Sequence, residues 1–295
     1  MSTTLKNKID FAILFRVRNA NPNGDPLNGN RPRTDYSGLG EITDVCIKRK
    51  IRDRLVERYV ALPESERLGQ NVFVQSDDRK RDAFKSLRER AEAGLGKKLG
   101  GSETSAEACK LWIDVRAFGQ LFAYKSGSKG KKKDDGDDSN GDNGVSIGIR
   151  GPVTLHSAFS VEPVSITSTQ ITKSVSGEGD GAKRASDTMG MKHRVDQAVY
   201  TTFGSMNPQL ADRTGFSDAD AAAIKAILPK LFENDASSAR PEGSMEILKV
   251  IWWKHNSRTG QYSSAKVHRT LKVNPDGTYT LENLKDLPPE EINGF

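Results

Sequence analysis

A chain of 295 residues with a formal charge of +6 and a pI of about 9.2 is long enough to bury a substantial core, and its basic excess is compatible with a polyanion partner without requiring one. A hydrophobic share of 35% is low for a compact globule and points to long exposed loops, or to surfaces covered only in an assembly. No apolar run reaches the roughly 18 residues of a membrane span, residues 1–6 lack the apolar core of a signal peptide, and the two cysteines, Cys46 and Cys109, show no metal-ligand spacing, so a cytoplasmic protein with reduced thiols is expected.

The first predicted element is a strand over Ile9–Val17. Ile9, Phe11, Ile13, Phe15 and Val17 share one face, with Arg16 and Arg18 on the other near its exit. A turn-dense loop follows, Asn19-Ala20-Asn21-Pro22-Asn23-Gly24-Asp25-Pro26. Thr43 then N-caps a helix whose apolar stripe is Ile47, Ile51 and Leu55. Lys48, Arg49, Lys50, Arg52 and Arg54 occupy its remaining arc, and basic residues outnumber acidic ones six to three between Thr43 and Arg58. A charged arc is often only solvated, but this excess next to a polar loop favours phosphate contact.

Residues 61–124 read as helical, with one helix through Arg79–Arg88, a loop over Gly94–Gly101 and a further apolar-periodic stretch over Ala106–Phe122. Residues 125–144 are a Lys block followed by an acidic Gly/Asn-rich block, a composition that cannot offset its ordering entropy and predicts a mobile loop. Its acidic half fails as a calcium loop, because Asn143 and Ile149 stand where Gly and Glu are required. Residues 145–163 alternate as one long half-buried strand, with Val145, Ile147, Ile149, Val153, Leu155, Phe159 and Val161 in phase and Gly151-Pro152 as the candidate break. Residues 164–193 are rich in Thr, Ser and Gly and predict a protruding hairpin; Gly177–Lys183 lacks the spacing of a phosphate loop. A strand over Val195–Met206 follows. A capping box at Ser217–Asp220 opens a helix with Ile224, Ile227, Leu228 and Leu231 inward and a kink expected at Pro229. An apolar strand over Met245–His255 comes next, then a hairpin turning at Asn274–Gly277.

Without its insertions the order is strand, helix, strand, strand, helix, strand. The fold class expected is therefore α+β: a ferredoxin-like, RRM-like palm with an inserted helical region and a protruding thumb β-hairpin. The expected organisation is one elaborated domain over 1–295. Its palm is drawn from 9–60, 145–163 and 194–255, its helical insertion from 61–124, its flexible loop from 125–144, its thumb from 164–193 and its C-terminal hairpin from 256–295.

The chain offers little for an enzyme. Its four histidines, His156, His193, His255 and His268, show no HxH or HExxH spacing, and no GxSxG elbow occurs. Asp25, Asp35 and Asp44 put carboxylates near the basic helix, as a metal-dependent nuclease would need, but turn and helix-cap roles account for such residues equally. No catalytic set, metal or cofactor is expected. The needs of binding are better met: cations at Arg16, Arg18, Lys48, Arg49, Arg52 and Arg116, amides at Asn19, Asn21 and Asn23, and apolar wedges at Met189 or Met191 beside Lys192 and His193.

Four motifs in collinear order carry a family resemblance. They are Asn21-Pro22-Asn23-Gly24-Asp25-Pro26; the basic helix; Asp114-Val115-Arg116-Ala117-Phe118-Gly119; and Thr188-Met189-Gly190-Met191-Lys192-His193-Arg194 followed by Tyr200-Thr201-Thr202-Phe203-Gly204. Over residues 9–255 the chain resembles the Cas7 backbone family of CRISPR-associated proteins, within the RAMP superfamily, and is most similar to its type I-C Cascade member. The Lys/Asp insert at 125–144 departs from that pattern.

The resemblance implies a subunit without an active site that polymerises along a CRISPR RNA and supports guide pairing with target DNA. Its partners would be other copies of itself, the large Cascade subunit, the processing subunit at the guide 5′ end and a recruited helicase-nuclease. It implies RNA contacts at Arg16, Arg18, Asn19, Asn21, Asn23, Lys48, Arg49, Arg52, Arg116, Phe118, Lys173, Lys192 and His193, with Met189 or Met191 as the thumb wedge. The related type III subunits, in which a loop aspartate cuts target RNA, imply the alternative of a metal-dependent nuclease using Asp25 or Asp35.

Overall fold

The computed structural model describes residues 4–124, 145–172 and 189–295. Strand β1 (Ile9–Ala20) leads into a loop with the two-residue strands β2 (Gly24–Asp25) and β3 (Arg31–Pro32), then β4 (Leu39–Ile42) and helix α1 (Asp44–Ala61). The insertion holds α2 (Leu87–Leu95), α3 (Thr104–Leu111), α4 (Ile113–Phe118), β5 (Gly119–Tyr124) and β6 (Val145–Arg150). After it come β7 (Val153–Leu155), β8 (Ala158–Pro163), β9 (Ile166–Thr172) and β10 (Met189–Met206), then α5 (Pro208–Thr214), α6 (Asp218–Ile227) and β11 (Met245–Lys254). The C-terminal part adds α7 (Ser264–His268), β12 (Leu271–Val273), β13 (Tyr279–Leu281) and β14 (Glu290–Asn293).

The main sheet runs β14-β11-β1-β10-β8-β4, antiparallel at each of these pairings, with β7 and β9 also paired to β10. Its inner four strands, β11-β1-β10-β8, with α1 following β1 and α6 following β10, have the ferredoxin-like order expected from the strand–helix alternation. Both helices pack on one face. Ile47, Ile51 and Leu55 of α1 and Ile224 and Ile227 of α6 share a core with Phe11, Ile13 and Phe15 of β1.

Strand β1 departs from the one-sided strand expected. Ala12 and Leu14, on its second face, are buried under the C-terminal segment, beside Trp253, Val267 and Leu271. A central strand covered on both faces cannot be told from a one-sided strand by alternation alone.

Three further expectations are corrected. The helix placed at Arg79–Arg88 forms later, as α2, because the Ser86 hydroxyl caps the Glu89 N–H at 3.1 Å. The single strand placed over 145–163 is three strands. Gly151-Pro152 breaks it, and a Cβ at Gly151 would lie 2.2 Å from the Ala117 carbonyl oxygen. The irregular step at His156-Ser157 then shifts the phase, so that Ala158 and Ser160 are buried and Phe159 is exposed. Finally, α6 ends before Pro229 instead of kinking at it. The insertion has its own core of Phe73, Trp112 and Phe122. The loop expectation at 125–144 and the thumb tip at 173–188, including Lys173, lie outside the described residues.

Candidate nucleic-acid interface

Strand β10 changes character along its length. From Val195 onward it lies in the sheet, and its first residues, Met189 to Lys192, are exposed. There it pairs with β9, so that Met189 opposes Thr172, Met191 opposes Gln170 and His193 opposes Ser168. Met189 and Met191 are more than half exposed, and His193 Nδ1 is 2.8 Å from the Ser168 hydroxyl, which holds the imidazole on the strand. An apolar side chain kept in water on a hydrogen-bonded ribbon is available to a planar ligand such as a base.

The asparagine loop faces this hairpin. Asn19 adopts a left-handed backbone (φ 51°), a conformation asparagine tolerates better than most residues, and turns the chain out of β1. Asn21 is buried: its backbone N–H donates to the Ala239 carbonyl at 2.9 Å and its Nδ2 to the Asn30 carbonyl at 2.6 Å. Asn23 accepts from the Thr43 backbone and hydroxyl at 3.0 and 3.1 Å, which docks the loop on the start of α1. The Asn21 amide, through Nδ2, and the Asn23 amide, through Oδ1, thus build the loop. The buried Oδ1 of Asn21 has no partner among the described residues.

Between loop and hairpin lies a groove of about 240 Å³, walled by Asn21 and Asn30 on one side, Ile171, Met191, Lys192 and His193 on the other, and Ser238-Ala239 at one end. It joins sequence-predicted residues from two distant segments. Asn30 and Ser238-Ala239 had no signal in the sequence, since they sit in irregular turns whose position depends on the packing of α1 and α6. Arg18, at the exit of β1, and Lys192 are exposed and carry their charge toward solvent.

The expected basic stripe is largely spent inside the protein. Lys50 is fully buried on Asp235, which also takes Arg49 at 3.2 Å and Arg240 at 3.1 Å; these three cations hold the Asp235 carboxyl below its ordinary range against the opposing effect of burial. Arg49 also bonds Asp53 at 2.7 Å, and Lys48 bonds Asp44 at 3.0 Å. Arg52 donates to Asp114 at 2.9 Å and lies 5.2 Å from the Phe118 ring, which is itself packed against the core. Arg116 is buried on Asp220 at 2.7 Å, with the Cys109 and Gly69 carbonyls taking its other donors. Arg16 pairs with Glu246 at 2.8 Å. In this chain Arg16, Arg49, Arg52, Arg116 and Phe118 hold elements together.

The aspartates considered for cleavage have turn roles. Asp25 caps the Leu27 N–H at 3.2 Å and pairs with Arg33 at 3.1 Å; Asp35 accepts from the Ser37 and Leu39 N–H groups, both at 2.9 Å. Cys109 is buried, which pushes its thiol up to about 11.

A family model described as CRISPR-associated protein Cas7 matches residues 7–291. The CRISPR-associated protein Cas7 of Haloferax volcanii is 25% identical over 296 aligned positions, spanning 97% of this chain and 80% of the relative. Among solved structures, a chain from a CRISPR RNA-guided surveillance complex in a pre-nicking state superposes with a TM-score of 0.45 and 16% identity, covering 87% of this chain and 81% of that one. A chain from a second CRISPR RNA-guided surveillance complex gives 0.44 and 15%, covering 92% and 77%.

Proposed function

The chain belongs to the family of CRISPR-associated protein Cas7, and from that premise we propose that it is a non-catalytic backbone subunit of a type I-C Cascade surveillance complex. Copies of it bind one CRISPR RNA side by side in the cytoplasm and hold the guide for pairing with target DNA. The large subunit and the processing subunit at the guide 5′ end complete the particle, and a recruited helicase-nuclease cuts. Base pairing reads sequence, and this subunit grips backbone and shape.

The observation that carries the reading is the groove between the asparagine loop and the β9–β10 hairpin. It sets a cation, Lys192, an imidazole, His193, and a thioether, Met191, around a slot with an unpartnered amide oxygen at Asn21. Phosphate, sugar and base face each find a matching group there. Met189 and Met191 are the wedge candidates, and Arg18 adds charge at the mouth.

Co-expression with a matching CRISPR RNA and the neighbouring subunits, followed by native mass measurement, tests this. A particle containing RNA and several copies of this chain is expected. A folded chain that purifies alone and without RNA overturns the proposal.

A further inference from the structure

We propose that Asn28 is a site of spontaneous deamidation, at which the folded chain turns an amide into a carboxylate and loosens its hold on a guide RNA. The effect on the guide rests on the backbone reading; the modification itself does not.

The chemistry needs an asparagine followed by a glycine. The glycine N–H, once deprotonated, attacks the asparagine Cγ, and no Cβ on the glycine obstructs the approach. A bond forms between that nitrogen and Cγ, the bond from Cγ to the side-chain nitrogen breaks, and ammonia leaves. Water then opens the resulting succinimide at either of its carbonyls and gives aspartate or isoaspartate. The net change is asparagine plus water to acid plus ammonia, so no oxidant or cofactor is consumed. This reactivity is what makes asparagine a thermolabile residue.

Asn-Gly occurs five times in the chain, and Asn140-Gly141 and Asn143-Gly144 lie outside the described residues. The fold treats the other three differently. At Asn23-Gly24 the Asn23 Oδ1 is held by the Thr43 N–H and hydroxyl at 3.0 and 3.1 Å. Gly24 pairs with Pro32 in the β2–β3 ribbon and is packed against the Asn30 side chain. At Asn293-Gly294 the Asn293 Oδ1 takes the Lys249 ammonium at 2.5 Å, and the Gly294 N–H donates to the Leu248 carbonyl at 3.4 Å. Gly294 has no room beside the Ile247 carbonyl. Neither glycine nitrogen can swing onto its neighbour's Cγ without breaking these contacts.

Asn28-Gly29 is unrestrained by comparison. Asn28 ends the short helical turn Pro26–Asn28, and both residues are exposed. The Asn28 side chain has no hydrogen-bond partner among the described residues. Gly29 has a left-handed backbone (φ 57°), with nothing within 4 Å of where a Cβ would sit, so it is free to turn toward the amide.

The product bears on the groove through Asn30. The Asn30 N–H closes the turn on the Asp25 carbonyl at 2.8 Å, and the Asn30 carbonyl holds Asn21 Nδ2 at 2.6 Å. Asn21 and Asn30 form one wall of the groove. Isoaspartate at position 28 adds a methylene to the main chain between Asp25 and Asn30, and the turn cannot close as before. Either acid also sets a negative charge beside the loop, where it repels phosphate.

Ageing the RNA-free chain in warm, mildly alkaline buffer tests the site. Fragment-ion mass mapping reads each asparagine, and chromatography separates aspartate from isoaspartate. Conversion at Asn28 is expected at least about tenfold faster than at Asn23 or Asn293, which react only when the structure around them opens. In urea the difference is expected to vanish. Equal rates at all three in the folded chain, or faster loss at Asn23 or Asn293, overturn the site. The aged wild type is expected to bind single-stranded guide RNA several-fold more weakly than the fresh protein. Asn28→Gln, which would have to close a larger ring, is expected to bind equally before and after ageing. Unaged Asn28→Asp carries the charge without the added methylene and is expected to fall between. A chain deamidated at Asn28 that binds as tightly as the fresh protein overturns the effect on the guide. A fresh chain that binds no guide RNA sinks the backbone reading alone, because the mass map still decides the site.

Discussion

The guanidinium of Arg116 is clasped on the carboxylate of Asp220, 104 residues later, with Nε–Oδ2 at 3.0 Å and Nη2–Oδ1 at 2.7 Å. The same carboxylate closes the capping box of α6 by accepting from the Ser217 N–H at 2.8 Å. One buried pair therefore bolts α4 of the insertion to the N-terminus of α6 in the palm. Removing one member of such a pair leaves the other charged and buried. Arg116→Ala is expected to lower unfolding stability by about 3–5 kcal/mol, and Arg116→Lys to recover only part of it, because an ammonium cannot reproduce the fork. Urea denaturation of the three proteins checks this.

Asp235 is expected to behave similarly for a different reason: Asp235→Ala strands a fully buried Lys50. The expected loss is about 3–5 kcal/mol. Lys50→Met in the same chain should restore a good part of it by removing the stranded ammonium. A double mutant no more stable than Asp235→Ala would show that Arg49 and Arg240 carry the effect instead.

Gly204 faces the ring of Phe11, where a Cβ would lie 2.3 Å from the nearest ring carbon. Gly204→Ala is therefore expected to cost about 1–3 kcal/mol through overpacking. Phe11→Leu should be less damaging in the Gly204→Ala background than alone. A double-mutant cycle on denaturation midpoints reads the coupling.

Stability should fall with acid in two windows. His268 is held below the ordinary histidine value of 6.5 by burial, against the opposing pull of Asp10 at 3.7 Å. The unfolded chain then binds the proton more readily, so stability decreases as pH falls from about 6.5 toward the folded value. Asp10, fully buried, is desolvated, but the His255 bond at 2.8 Å and the Lys8 pair at 3.1 Å bring its carboxyl below the ordinary 3.8. Its contribution is present above 3.8 and is lost as pH falls through the folded value. Replacing His268 by Gln should flatten the dependence that begins below about pH 6.5 while leaving the acid limb. An unchanged slope assigns the first window to another group.

At the interface, Arg18→Ala with Lys192→Ala is expected to weaken binding to single-stranded guide RNA and to reduce the salt slope by about 1.4, at about 0.7 per phosphate contact. Lys48→Ala should move it less, since that ammonium is held on Asp44. Fluorescence anisotropy across a salt series distinguishes the two.

Sequence alone determined the strand–helix alternation, the N-caps at Thr43 and Ser217, the apolar stripe of α1 and the hairpin ending in Met189 and Met191. All of these are local: their periodicity and capping involve residues a few positions apart. Four collinear motifs were likewise enough to point to the Cas7 family. Tertiary structure alone decided what the charges do. Lys50 and Arg116 looked like neighbours of solvent, and their partners, Asp235 and Asp220, stand 185 and 104 residues away. The second face of β1 was hidden for the same reason, since Ala12 and Leu14 are covered by residues from the far end of the chain. A burial or a pairing formed across such separations leaves no periodic trace in either segment, so the site's walls at Asn30 and Ser238 became visible only once the chain had closed on itself.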